Sequence, residues 1–126
     1  MTGTSFLDSK FFHEDEFRCS DCHKVYVHPK LLNLLEKTRE IYGKPIIIES
    51  GYRCFKHNAE VGGVPGSAHL TGEAADLRCS FGPDRFALLT IFFALAVKRI
   101  GIARNYIHVD VSETLPQDQV WMYSEG

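Results

Sequence analysis

The sequence predicts an α+β fold, a small and mainly antiparallel sheet with helices packed on it. Three observations carry this. Two long stretches, near residues 28–42 and 83–100, have helical apolar spacing and helix-type ends. Three short runs rich in β-branched and aromatic residues, IIIES, YIHVDV and QVWMY, read as strands. The connections are short and the two kinds of element are mixed along the chain, which favours one small sheet over a regular parallel one.

The elements follow in order. Residues 5–17 set Phe6, Phe11, Phe12 and Phe17 among polar residues, so residues 1–27 are expected to pack as an irregular arm on a single domain spanning 1–126. The first helix runs from His28 to Tyr42. Pro29 suits its first turn, Leu31, Leu32, Leu34 and Leu35 form a buried stripe, and Gly43 ends it. Lys44-Pro45 leads into IIIES, a buried strand broken by Gly51. A short helix over Phe55–Val61, a loop at 62–66 and a strand over Ala74–Cys79 come next. Pro83-Asp84 opens a helix expected to reach Ile100, with Lys98 and Arg99 in its last turn and Gly101 as its stop. Tyr106–Val111 is a clear strand, and Gln119–Tyr123 is the last.

Bulk properties limit the function. A chain of 126 residues builds one core. Its net charge of -2 gives no electrostatic reason for a nucleic-acid or anionic-membrane partner. The longest apolar run, Ala87–Val97, is broken by Thr90 and is too short to span a bilayer, so no membrane insertion is expected. Met1–Lys10 has no apolar leader region, which leads us to expect cytoplasmic synthesis without a signal peptide. The chain shows no internal repeat and no low-complexity segment, and a monomer is expected.

Three polar residues stand where polarity is costly. His108 lies between Ile107 and Val109 in the YIHVDV strand. Asp76 lies between Ala75 and Leu77 in a strand expected to be buried. His69 follows the Gly/Pro loop, seven positions before Asp76. Buried imidazoles and carboxylates need partners or a cation. Three N/O ligands with a fourth position open are the pattern of catalytic zinc. On spacing alone, a hydrogen-bonded His–Asp pair in a core carries comparable weight. His13, His23, His28 and His57 lie in polar loops or at helix starts and read as solvated or singly bonded.

The wording of the sequence is more specific than its spacing. SGYRCFKHNAEVGGVPGSAHLTGEAADL, followed by YIHVDV, resembles the zinc D-Ala-D-Ala metallopeptidases, which share a fold with the Hedgehog signalling domain. The pattern S-x-H-x-x-G-x-A-x-D is met by Ser67, His69, Gly72, Ala74 and Asp76, and H-x-D by His108 and Asp110. Ser50 to Arg53, Asn58 and Val61-Gly62-Gly63 also match, and the resemblance covers about Phe12 to Trp121. It implies zinc held by His69, Asp76 and His108, and hydrolysis of peptide bonds in peptidoglycan stem peptides, as a D,D-carboxypeptidase or an endopeptidase. It also sets Arg53, Ser67 and Trp121 against the substrate.

One departure bears on mechanism. Many relatives carry an acidic base three positions before the last zinc histidine, and Asn105 stands there in this chain. Asp110 is then the nearest carboxylate. It shares a strand face with His108, as a base, as an acceptor that orients a ligand histidine, or as a solvated strand-end group. The missing acid keeps a second function open, a zinc-bearing cell-wall or peptide-binding module with weak or no catalysis. A small enzyme of this kind without a leader suits a phage endolysin or prophage remnant.

Four cysteines complete the inventory: Cys19, Cys22, Cys54 and Cys79. Cys19-Ser-Asp-Cys22-His23 satisfies the c-type haem attachment pattern. We reject that reading, because haem attachment follows export and the rest of the chain resembles a haem-free family. In close relatives an early Cys pair accompanies a Cys at the position of Cys54. The resemblance therefore allows a Cys19/Cys22/Cys54 cluster, as a disulfide or a second metal site. Buried free thiols are the plain alternative.

Overall fold

A computed structural model describes residues 9–123. The arm's first eight residues lie outside that span. The rest of the arm contains one short 3-10 turn, Glu14–Phe17, and it delivers Phe12 and Phe17 into the core.

Helix α1 spans Pro29–Tyr42. The His28 ring caps it by accepting from the Lys30 N–H at 3.1 Å, and Gly43 closes it in the left-handed region at φ 77°. Leu31, Leu32 and Leu35 form its buried stripe. Helix α2 is the short Phe55–Glu60. Helix α3 spans Gly82–Ala94 and presents Leu88, Ile91 and Phe92 inward. Among the described residues, no helix is long and apolar enough to cross a membrane.

Five strands form one sheet: β1 (Ile48–Ser50), β2 (Ala74–Arg78), β3 (Arg99–Ile102), β4 (Tyr106–Asp110) and β5 (Gln119–Met122). Their spatial order is β1-β2-β4-β3-β5. Neighbours are antiparallel except β3 and β5, which are parallel. The expected α+β architecture is therefore present.

Two expectations about elements change. The IIIES run is a strand only over Ile48–Ser50, and Ile47 is exposed. The last long helix does not reach Ile100. It stops at Ala94, because Ala96 turns left-handed at φ 59° and the Val97 N–H donates back to the Phe92 carbonyl at 3.0 Å. The apolar run continues straight across that boundary into β3, so hydrophobicity does not mark it. Lys98 and Arg99 thus do not end a helix, and Gly101 stops none. Arg99 and Gly101 belong to β3.

The pairing register separates the sheet into two faces. Ala75, Leu77, Ile100, Ile107 and Val109 pack with Leu31, Leu35, Leu88 and Phe92 of the helices. The alternate positions are Asp76, opposite both Ser50 and His108, and Asp110, opposite both Ala74 and Arg99. Gly101 lies opposite His108 and Trp121. Period-two alternation therefore gathers the polar residues of β2, β3 and β4 on the face away from the helices.

Candidate metal centre

His69 reaches this face from the 3-10 turn Ala68–Thr71, which Ser67 caps by accepting the His69 N–H at 3.1 Å. Asp76 and His108 come from paired positions of β2 and β4. All three are buried. One ligand atom from each can be chosen so that all lie within 4.8 Å of one another. The centre of the group is Asp76 Oδ1, which is 3.2 Å from His69 Nε2 and 2.9 Å from His108 Nδ1.

The remaining partners fix which ring nitrogens carry hydrogen. His69 Nδ1 lies 2.7 Å from the Gly51 carbonyl. A carbonyl only accepts, so Nδ1 donates. His108 Nε2 lies 2.7 Å from Asp110 Oδ2. Asp110 is a carboxylate held by Arg99 Nε, which donates to Oδ1 at 2.9 Å and Oδ2 at 3.1 Å, so Nε2 also donates. In the neutral rings, the inward atoms His69 Nε2 and His108 Nδ1 then bear lone pairs. Both face a carboxylate oxygen that has only lone pairs to offer.

Three acceptors in a buried site repel one another unless a cation lies among them. Protons supply it in the metal-free chain. Burial pushes the Asp76 carboxyl up, but hydrogen bonds from His108 and His69 and their charges outweigh this and hold it well below the ordinary range. Burial pushes His108 down, and the Asp110 and Asp76 carboxylates outweigh it and raise it. A zinc ion fits the same donor set. Each imidazole has its outer N–H fixed by an oxygen acceptor, the arrangement that orients metal-binding histidines.

The family model for Peptidase M15 matches residues 10–110. The chain belongs to the M15 peptidase family. A comparison with curated proteins finds no match. M15 peptidases are zinc-dependent, and His69, Asp76 and His108 are candidate ligands in this one. Family membership implies a metallopeptidase whose substrates are peptidoglycan peptides.

In this M15 peptidase the centre lies in a cleft of about 510 Å³ whose lining includes Arg53, Ser67, Tyr106 and Tyr123. Arg53 donates to Ser50 Oγ at 3.1 Å, Asn58 Oδ1 at 3.1 Å and Asp76 Oδ2 at 3.3 Å. The guanidinium therefore steadies the oxygen of Asp76 that the histidines do not use. Asn58 links Arg53 to the glycine loop through its donation to the Val64 carbonyl at 2.8 Å. Ser67 lines the cleft, with its oxygen engaged by the cap on His69.

Trp121 is not among the cleft-lining residues. Its ring lies 5.4 Å from that of His108 and 4.8 Å from the Arg99 guanidinium. It rests over Gly101, where an added Cβ would meet the indole Nε1 at 2.6 Å. Tyr106 and Tyr123 do line the cleft. Burial pushes both phenols up, Tyr123 to about 12, so both are protonated donors at neutral pH.

Sequence reasoning missed Arg99 because it placed this residue in a helix. The signal available was alternation: Ile100 and Ile102 flank Gly101, a strand pattern that puts Arg99 on the face opposite Ile100. Asn105 stands at the turn between β3 and β4, where its carbonyl accepts the Cys79 N–H at 2.9 Å, and it is not among the cleft-lining residues.

Proposed function

We propose that this chain is a zinc D,D-peptidase that hydrolyses peptide bonds in peptidoglycan stem peptides, at a chain end or within a cross-link, as an endolysin-like monomer. The observation that carries this reading is the convergence of three lone-pair donors in the lining of a cleft large enough for a short peptide. His69 Nε2, His108 Nδ1 and Asp76 Oδ1 would hold the ion. Zinc in a site with an open position acts as a Lewis acid, polarising a carbonyl and acidifying a water.

The other residues bind and orient. Arg53 has five N–H donors, and its three described bonds leave two for a substrate carbonyl or carboxylate. Ser67 places His69 and borders the substrate. Asp110 acts as a positioning residue. Its oxygens accept from His108, Arg99 and the Ser112 N–H at 3.1 Å, so neither faces the cleft as an idle base. Trp121 holds Arg99 and the His108 ring in place. The phenols of Tyr106 and Tyr123 donate hydrogen bonds to the peptide.

A second reading rests on one observation. The carboxylates lining the cleft are Asp76 and Asp110, and both are fully engaged. A zinc-bearing module that binds cell-wall peptides without cutting them accounts for that. Digestion of purified peptidoglycan, followed by mass analysis of the soluble products, separates the two readings. The peptidase releases peptides or D-alanine, stops with chelator and resumes with added zinc. The module sediments with the wall and releases neither product.

A further inference from the structure

Outside the cleft, three thiols converge. Cys19 and Cys22 come from the arm, and Cys54 caps α2. Sulfurs of all three lie within 4.8 Å of one another, and Cys19 Sγ is 3.8 Å from Cys54 Sγ. None is in a disulfide. Asp21 Oδ2 lies 3.8 Å from Cys54 Sγ.

The backbone here is arranged around sulfur. The His57 N–H donates to Cys54 Sγ at 3.4 Å. A turn from Cys19 to Lys24 is closed by the Cys19 N–H to the Lys24 carbonyl at 2.8 Å and the His23 N–H to the Cys19 carbonyl at 3.0 Å. His23 adopts φ 64° to complete it. Backbone donors aimed at sulfur favour the thiolate, the form that ligates metals.

Geometry distinguishes the possible uses. Two thiolates bound at ~2.3 Å to a tetrahedral zinc stand about 3.8 Å apart. The Cys19–Cys54 separation is that edge length. A disulfide needs its sulfurs near 2.05 Å and would leave the third thiol without a role. We propose that Cys19, Cys22 and Cys54 are three ligands of a second, structural zinc ion, with a fourth ligand completing the site. Thiolate-rich, closed four-ligand sites are the structural zinc type.

This ion ties the arm to the segment that serves the catalytic centre. Gly51 is in contact with Phe17, where an added Cβ would meet Phe17 Cα at 2.7 Å. The Tyr52 N–H donates to the Phe17 carbonyl at 2.9 Å. The same segment supplies the Gly51 carbonyl that holds His69 and the guanidinium of Arg53. The thiols themselves do not line the cleft.

The test is elemental analysis of the full chain purified without chelator, with cobalt substitution as an independent readout. Wild type is expected to hold two zinc ions per chain. Cys54→Ser and His108→Ala should each hold one. Cobalt-loaded wild type and His108→Ala should show a thiolate-to-metal charge-transfer band that Cys54→Ser lacks. If Cys54→Ser does not fold, the band in His108→Ala still decides. One zinc in wild type with no charge-transfer band overturns the proposal. So does an intact mass short of two hydrogens, which marks a disulfide. Loss of zinc only from His108→Ala would leave the catalytic centre standing and this site refuted.

Discussion

Strand β4 has two faces that are equally buried and unlike in every other respect. Ile107 and Val109 are sealed among α1, α3 and β2. His108 and Asp110 are as deeply buried on the opposite face. The apolar pair is satisfied by packing alone. The polar pair depends on a chain of partners: Trp121 on Arg99, Arg99 on Asp110, Asp110 on His108, and His108 on Asp76. That chain ends in facing lone pairs. Burial therefore does not separate core from site, whereas an acceptor with no donor opposite it does.

The sharpest way to break this comparison is to truncate one residue on each face. His108→Ala should lose the zinc of this centre and reduce peptidase activity to background, as should His69→Ala. Ile107→Ala should cost about 2–5 kcal/mol of stability in a denaturant titration, with zinc content per folded molecule unchanged. If Ile107→Ala shed zinc without loss of stability, the division between faces would be wrong.

The partner chain gives a smaller effect. Asp110→Asn keeps the shape and removes the charge that holds His108 Nε2–H. Zinc affinity, measured by competition with a chromogenic chelator, should fall roughly 10- to 100-fold. Arg99→Ala should shift affinity in the same direction, and the double variant should fall short of the sum of the two. Wild-type affinity in Asp110→Asn would remove it from the centre. Arg53→Lys retains charge and loses the planar fork. Its kcat/KM should drop by about 10-fold, and an unchanged value would make the guanidinium dispensable.

The smallest effect is in pH dependence, and its sign differs with metal content. In chelated protein His108 is raised, so its contribution is full below its ordinary 6.5 and fades as pH rises through the folded value. Asp76 is lowered, so its contribution is full above 3.8 and is lost as pH falls through the folded value. Metal-free protein should accordingly gain most from this pair between pH 3.8 and 6.5. The zinc form should instead lose stability on acidification, because protons compete for the ligands. Melting curves of both forms across pH test this, and parallel profiles would contradict it.

Much of the site was legible because strand period does the sorting. A histidine between Ile107 and Val109, and an aspartate between Ala75 and Leu77, announce polar groups on one face of buried strands. The motif resemblance added His69, which spacing alone left ambiguous. What escaped was long-range pairing. Nothing local to Arg99 says that it will meet Asp110 across a hairpin, and an apolar run from α3 into β3 hides the change of period at Ala96. Gly101 was read as a helix stop, since a sequence does not show that Trp121 will lie over it. Likewise, the donors that Arg53 offers to Ser50, Asn58 and Asp76 depend on three elements meeting.

The most direct test of the central claim is anomalous diffraction at the zinc edge from crystals of protein active on peptidoglycan. The account predicts a peak about 2.0–2.2 Å from His69 Nε2, His108 Nδ1 and an Asp76 oxygen, with Asp110 outside bonding distance. An active crystal with no peak among those three atoms, or with zinc bound through Asp110, would contradict it.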